Sequence, residues 1–535
     1  MKGRQEMTSK DRTGMRPGPR GGDAAPGTRP GPTGGGEDGA RYTPGAIGRR
    51  ALFKGAGGLA LTLGAVRLAG EHAVLPQRTT LAATTLPDIQ FNIGAFIAAA
   101  QVLNDGGGSV TAQLPPVHTV FLTAALNRTP AAADQQNLSN ALATIEATYP
   151  FAADGILTFI AYGIPYFNRL PGGLDGALVS ANMPRLVSNT SRYALEEAVP
   201  GPTDVSSANP GVTKETFNVP VQIESNDLVI TVRSDNSTII SDVLAWLSGS
   251  NRLKGASVPS PSLFNGLAKI TSSRAQFVGV SLPRNMAETH GFPYAEEINS
   301  DSPMWMGFLD QQTNGSGPAA ICTFAGNSSA HLTTAQPGDY FDNGAIQHLS
   351  HVIEDLAQFY QEPTATDTGE PFTERVQYMF RSDPIPSVGN SDQFSDGGGP
   401  SYFNNVFQGT GDAASTAQAI NTFQGERRLG HLSCLQRSSR ASDSTPIHLR
   451  MDGPGLDNMD VPDGSVQPKL QFTVFVPTAD FFRTLRVNQA SLDLQNEFGV
   501  ASTDNGLERF LTATRRQNFL IPPRRHRAFP LVELA

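Results

Sequence analysis

The stretch NDLVITVRSDNSTIISDVLAWLSGS, residues 226–250, decides the fold. Leu228 to Val232 is an unbroken run of β-branched and apolar residues, which reads as a strand. The polar Ser234-Asp235-Asn236 closes that run. Ser237 or Thr238 then caps a segment whose apolar residues recur at helical spacing, so the strand passes directly into a helix. The chain upstream has the same rhythm. VHTVFLTAAL (117–126) reads as a strand, AAADQQNLSNALATIEATYP (131–150) as a helix, and DGILTFIAYGIPYF (154–167) as a strand. Strand, helix, strand, then strand and helix predict an α+β half with its helices on one face of a sheet. The second half repeats the idea. AIQHLSHVIEDLAQFYQE (345–362) has helical spacing, LQFTVFVPTADFFRTLRVNQASL (470–492) is a strand running into a helix, and NFLIPP (518–523) is a last short strand. The polar, Gly/Pro-rich stretches 362–425 and 451–469 read as loops.

The chain has 535 residues, 39% of them hydrophobic, with 54 Gly and 39 Pro, which describes a globular but loop-rich protein. A formal net charge of −9 gives no support to nucleic-acid binding, which calls for a basic surface. Two cysteines, Cys322 and Cys434, are too few for a zinc ribbon or a disulfide framework; one bridge and two buried thiols both remain open. The first 48 residues carry almost no large apolar side chains and cannot bury a core. Arg49-Arg50-Ala51-Leu52-Phe53-Lys54 fits a twin-arginine export signal, with an apolar, Gly/Ala-rich run from about Ala56 to Leu68 behind it. That run is short for a membrane anchor, the other reading of such a segment. The expected organisation is a leader over 1–80, an N-terminal half over 85–290 and a C-terminal half over 291–535.

No P-loop, dinucleotide-binding GxGxxG, HExxH or GxSxG is present. His348 and His351 stand three apart on the expected 345–362 helix, where surface histidines are the simpler reading than a metal pair. Four other segments occur in a telling order: DLVITVRSD (227–235), MGFLDQ (306–311), GHLSCLQR (430–437) and IHLRMDGP (447–454). In that order they resemble the landmarks of the dye-decolourising peroxidases, over about residues 85–525. The resemblance implies two ferredoxin-like halves of the dimeric α+β barrel type, with antiparallel sheets and helices packed on them. It implies haem b as cofactor, hydrogen peroxide and a bulky aromatic reductant as substrates, and a chain compatible with homo-oligomers. The leader would engage the twin-arginine translocase and deliver a secreted or cell-surface protein.

Carried onto this sequence, the resemblance makes His431 the axial ligand of the haem iron, Asp310 the distal acid–base and Arg450 the distal cation. Gly307, Phe308 and Asp452 would line the cofactor site. A neutral imidazole holds iron from one side. A desolvated carboxylate can take and return a proton, and a guanidinium stabilises a developing oxyanion. Gly172-Gly173-Leu174-Asp175-Gly176 matches the family's G-x-x-D-G more literally. It precedes the 227–235 strand, though, and reads as a surface turn. Three departures stand out: Gln311 follows the acid where the family has glycine, Gly430 replaces a small polar residue, and Leu432-Ser433-Cys434 lacks the usual basic residue. The alternative they favour is a non-catalytic haem-binding or haem-free protein on the same scaffold. Trp246 and Trp305, beside ten Tyr, are the candidates for passing electrons from the surface.

Overall fold

The computed structural model describes residues 62–73, 75–76, 78, 85–97, 100–104, 109–298, 300, 302–306, 319–326, 331–361, 448–490 and 508–535. The N-terminal half contributes β1 (His118–Leu126), α1 (Ala132–Thr148), β2 (Leu157–Tyr162), β3 (Leu228–Ser234), α2 (Ser237–Leu247) and β4 (Ala268–Phe277). The C-terminal half contributes β5 (Ala345–Glu354), a two-residue strand Leu449–Arg450, β6 (Gly453–Asp457), β7 (Gln467–Val476), α3 (Ala479–Ala490) and β8 (Leu511–Ile521). Hydrogen bonding orders the first four strands 2-3-1-4 and the second four 6-7-5-8, the ferredoxin-like order in each half. The halves join in one antiparallel sheet through Leu520 of β8 and Tyr162 of β2. Its edge strands come back to meet each other: a Cβ built on Gly455 of β6 would lie 2.7 Å from the Ala275 carbonyl of β4. Glycine is needed there because the strand backbones approach too closely for a side chain.

Alternation along the strands builds two cores. Val120 and Leu122, Ile160, Ile230 and Val232 point to one face and pack beneath Leu138, Leu142 and Ile145 of α1 and Val243, Leu244 and Leu247 of α2. Phe121, Phe159, Val229, Leu349, Phe475 and Phe519 point the other way and meet between the halves. Phe475 is central to this second core. It stacks on Phe91 with centroids 4.4 Å apart and meets Phe159 edge-on at 6.4 Å.

The sequence expectations hold for β1, α1, β3, α2 and the β7–α3 pair, within a few residues at the ends. Four details differ. The cap of α2 is Asn236, whose side chain accepts from the Thr238 amide, one position ahead of the expected Ser237 or Thr238. The 154–167 stretch is strand only to Tyr162 and then turns into a short helix, Ile164–Phe167. The 451–469 stretch expected as loop contains β6, a strand masked by Gly453-Pro454-Gly455. The largest difference is 345–362, which is β5 followed by a short helix Leu356–Gln361. Ile346, Leu349, Val352, Ile353 and Leu356 imitate helical spacing. Every residue of β5 is buried, however, so polar residues sit inside on both faces and the period-2 pattern is hidden.

The segment read as the apolar part of an export signal is helical over 62–72 and lies against the N-terminal half. Val66 and Ala69 are buried, and the Thr62 hydroxyl donates to the Ser273 carbonyl at 3.0 Å. Beyond it Arg78 makes a bidentate pair with Asp235, at 2.6 and 2.8 Å. No helix among the described residues is long and apolar enough to cross a membrane.

Phe475→Ala should remove the contact shared by the two halves and cost about 3–5 kcal/mol. Urea unfolding should show this as a lower midpoint at an unchanged slope; a loss below about 1 kcal/mol would contradict the packing role.

Candidate functional site

The two covered faces of the C-terminal sheet carry different polar chemistry. On the face under α3, His348 stacks on Phe482 at 3.5 Å between ring centroids. Arg516 donates to the Ser350 hydroxyl at 2.8 Å and Ser350 to His348 Nε2 at 2.6 Å. His348 Nδ1–H then donates to Asn518 Oδ1 at 2.6 Å, the tautomer this chain of donors requires. Arg516 is closed by a bidentate Asp204, with both side chains buried. Burial and the nearby Arg516 charge push the His348 pKa well down, so the ring is neutral.

On the opposite face His351 lies between Thr514, at 2.9 Å from Nδ1, and Asp457, at 3.1 Å from Nε2. Burial lowers its pKa as well. Arg515 next to it pairs with Asp460 and with Glu224, which also holds Arg274. The two histidines are therefore buried strand residues on opposite faces, and not the helix-surface pair the spacing suggested. Among the described residues no group of three or more His, Cys, Asp or Glu could hold a metal ion.

Of the expected site residues, the structure describes two. Arg450 pairs with Val474 of β7 in register, and Val474 packs in the core that includes Phe482 and Leu485 of α3. This places half-buried Arg450 on the helix-bearing face. Asp452 follows two residues on, also half-buried. Asp310, His431, Gly307 and Phe308 lie outside the described residues, as does Cys434. Asp175 is exposed in a turn, as expected for the literal but misplaced motif. Cys322 is buried, and burial raises its thiol pKa.

The residue that sequence reading missed is Glu354, at the end of β5. It is 5% exposed, and its Oε2 has no hydrogen-bond partner. Burial, reinforced by the charge of Asp452, pushes its pKa up to about 8. Its neighbour Asp355 does ordinary work: the side chain accepts from the Gln358 amide and so caps the Leu356–Gln361 helix. The adjacent pair Glu354-Asp355 after Val352-Ile353 was the available signal. The helical reading of the segment made both acids look like surface residues.

Aromatic residues close this corner. Tyr294 and Tyr360 stack at 5.8 Å, and burial raises both phenol pKa values, with the Glu354 charge adding to the effect. The Tyr360 hydroxyl donates to the Trp305 carbonyl at 2.6 Å, and the Trp305 indole N–H donates to the Gly455 carbonyl at 3.0 Å. These bonds tie Met304-Trp305-Met306 to β6, and Asp310 comes five residues later in the sequence. Trp305 and Trp246 are 1% and 2% exposed, so neither is a surface electron entry.

The raised pKa of Glu354 has a consequence for stability. Its folded value lies above the ordinary 4.5, so the folded chain holds the proton more tightly than the unfolded one. The stabilisation is full below about 4.5 and is lost as pH rises to about 8. Glu354→Gln should flatten that decline in unfolding free energy, measured by denaturant titration across this window. A decline equally steep in the variant would place its origin elsewhere.

The model of a family of unknown function, DUF7405, matches residues 116–199 and 188–523. No curated protein matches the chain. Among solved structures, the encapsulated DyP-type peroxidase from Mycobacterium smegmatis is 14% identical, with a TM-score of 0.41 over 77% of this chain and 94% of that one. The dye-decolorizing peroxidase from Bacteroides thetaiotaomicron is 12% identical, with a TM-score of 0.40 over 78% and 97%. A DypB variant from Rhodococcus jostii RHA1 in complex with haem is 10% identical, with a TM-score of 0.40 over 77% and 94%. The family match extends from β1 to the end of β8 and so takes in both ferredoxin-like halves and the Glu354–Asp452 corner: the chain belongs to the DUF7405 family.

Proposed function

We propose that this chain is an exported haem peroxidase of the dye-decolourising type, reducing hydrogen peroxide with electrons from bulky aromatic donors. The observation that supports the reading is a corner of the C-terminal half. There the buried Glu354 carboxyl, with one oxygen unpartnered, feels the charge of Asp452, which stands two residues after Arg450 in the sequence. The order of the sequence segments around Asp310, His431 and Arg450 supports it independently.

The described residues fit haem on chemical grounds. Half-buried Arg450 and Asp452, two residues apart, suit a site where charge develops during O–O cleavage, and the Glu354 carboxyl on which Asp452 acts has one buried oxygen without a partner. His431 would be the axial ligand, with Gly307 and Phe308 lining the same cofactor. Bound haem would supply the redox chemistry of O–O cleavage. The protein's part is to move protons and stabilise charge. The Asp310 carboxylate takes the proton from the inner peroxide oxygen and returns it to the outer one. Arg450, always charged, stabilises the departing oxygen. Asp452 sets the local field. Each peroxide consumes two electrons from the reductant and two protons and yields two waters.

The test is the visible spectrum of protein produced with haem supplied. A Soret band in the parent, lost or shifted in His431→Ala, is expected. Its absence from well-folded parent protein would refute the reading. Export forms a separate part of the proposal: replacing Arg49 and Arg50 together by Lys should hold the protein in the cytoplasm, and unchanged export would remove the twin-arginine route.

A further inference from the structure

We propose that the inner face of the N-terminal sheet holds a binding site for one small carboxylate, of the size of formate or acetate, where Arg233 and Gln276 flank Thr119. The site shares no residue with the Arg450–Asp452 corner and does not depend on the peroxidase reading.

The first observation is an unbalanced charge. Arg233, in the DLVITVRSD strand, is 3% exposed. Among the described residues its one hydrogen bond runs from Nε to the Thr119 hydroxyl at 2.9 Å, and no carboxylate pairs with it. Arg274 and Arg516, just as buried, are held by Glu224 and Asp204. Asp235, two residues along, is already taken: Arg78 grips both its oxygens, and one of them also accepts from the Val117 amide at 2.9 Å. Two guanidinium groups thus stand near a single carboxylate. Burial and the Arg78 charge pull the Arg233 pKa down to about 9, against the pull of Asp235, so the group is still charged at neutral pH. A buried charge without a counter-charge is costly, and water hydrates it without neutralising it.

The second observation is a surplus of donors on the same face. Thr119 of β1 stands opposite Arg233 of β3 on one side and Gln276 of β4 on the other. Residues of one rung share a face, and Phe121, two residues further along β1, marks it as the face towards the core between the halves. Gln276 is buried, and neither its amide nitrogen nor its amide oxygen has a partner among the described residues. In the next rung on that face Thr231 and Arg274 flank Phe121, and the Thr231 hydroxyl and the Arg274 Nε and Nη1 are unpartnered as well. Beyond β4 the backbone of β6 closes the side, since a Cβ on Gly453 would lie 2.8 Å from Gln276 Nε2. A carboxylate answers both needs. Its single charge balances the excess, its two oxygens match the guanidinium fork, and it accepts from the Gln276 amide. A ligand touching both Arg233 and Gln276 across one intervening strand has only a few atoms.

The experiment uses the full-length protein dialysed into carboxylate-free buffer, with Arg233→Met and Gln276→Leu as variants. Thermal unfolding and titration calorimetry are followed as sodium formate or sodium acetate is added, against sodium chloride at equal ionic strength. The parental midpoint should rise with formate or acetate and not with chloride, and calorimetry should count one site per chain. Arg233→Met should weaken binding on the order of 100-fold. Having lost a buried unpaired charge, it should unfold at or above the parental midpoint in carboxylate-free buffer. Gln276→Leu should weaken binding about 10-fold, and it carries the test if Arg233→Met does not fold. Ion chromatography of denatured protein detects any carboxylate carried through dialysis; one per chain from the parent and none from Arg233→Met supports the site. A parent that releases no carboxylate and responds to formate and acetate no more than to chloride overturns it. Parental affinity in both variants overturns it too, as does a crystal grown in formate with an internal water only between Arg233 and Gln276.

Discussion

The C-terminal half depends on one constraint: its central strand, β5, is covered on both faces from end to end. A polar group on such a strand must be satisfied inside the protein or be left costly and unsolvated. Most of the polar residues obey this through long chains of partners. His348, Ser350, Asn518 and Arg516 form one sequence of donors and acceptors ending on Asp204. His351, Asp457 and Lys469 form another on the opposite face. Among the described acidic side chains, Glu354 is the one with a buried oxygen left unpaired. Asp452 acts on that carboxyl, and the carboxyl in turn acts on Tyr360, whose hydroxyl holds the Trp305 carbonyl.

The same constraint explains what was legible in the sequence. Strands with apolar residues on both faces, such as LVITV, declare themselves, and helices with one apolar stripe, such as α1 and α2, do likewise. Two α+β halves followed from their order, and their ferredoxin-like form from the resemblance. β5 was obscured because half its buried positions are polar, and its few apolar residues fell by chance at helical intervals. Each histidine has a partner far from it in sequence, although Ser350, the other partner of His348, is two residues away. Asn518 lies 170 residues away and Asp457 106, so their pairing could emerge only from the fold. The cap of α2 moved by one residue because Asn236 and Ser237 are both competent caps, and local geometry selects between them.

For the site, the resemblance carried by IHLRMDGP pointed to Arg450 and Asp452, and the fold pairs Arg450 with Val474 of β7 and leaves Asp452 between two short strands. It offered Trp246 and Trp305 as conduits, yet both are packed inside and hydrogen-bonded through their indoles to backbone carbonyls. Trp305 is better understood as an anchor. Its indole donates to the Gly455 carbonyl of β6 and its own carbonyl accepts from the Tyr360 hydroxyl, so the residue is held from both sides.

The central claim is that this corner moves protons and stabilises charge during peroxide reduction. Peroxide turnover by haem-loaded Asp310→Asn and Arg450→Leu, each retaining the parental Soret band, tests it most directly. The account predicts a loss on the order of 100-fold or more in each variant, with haem retained. Parental turnover in both variants would contradict it.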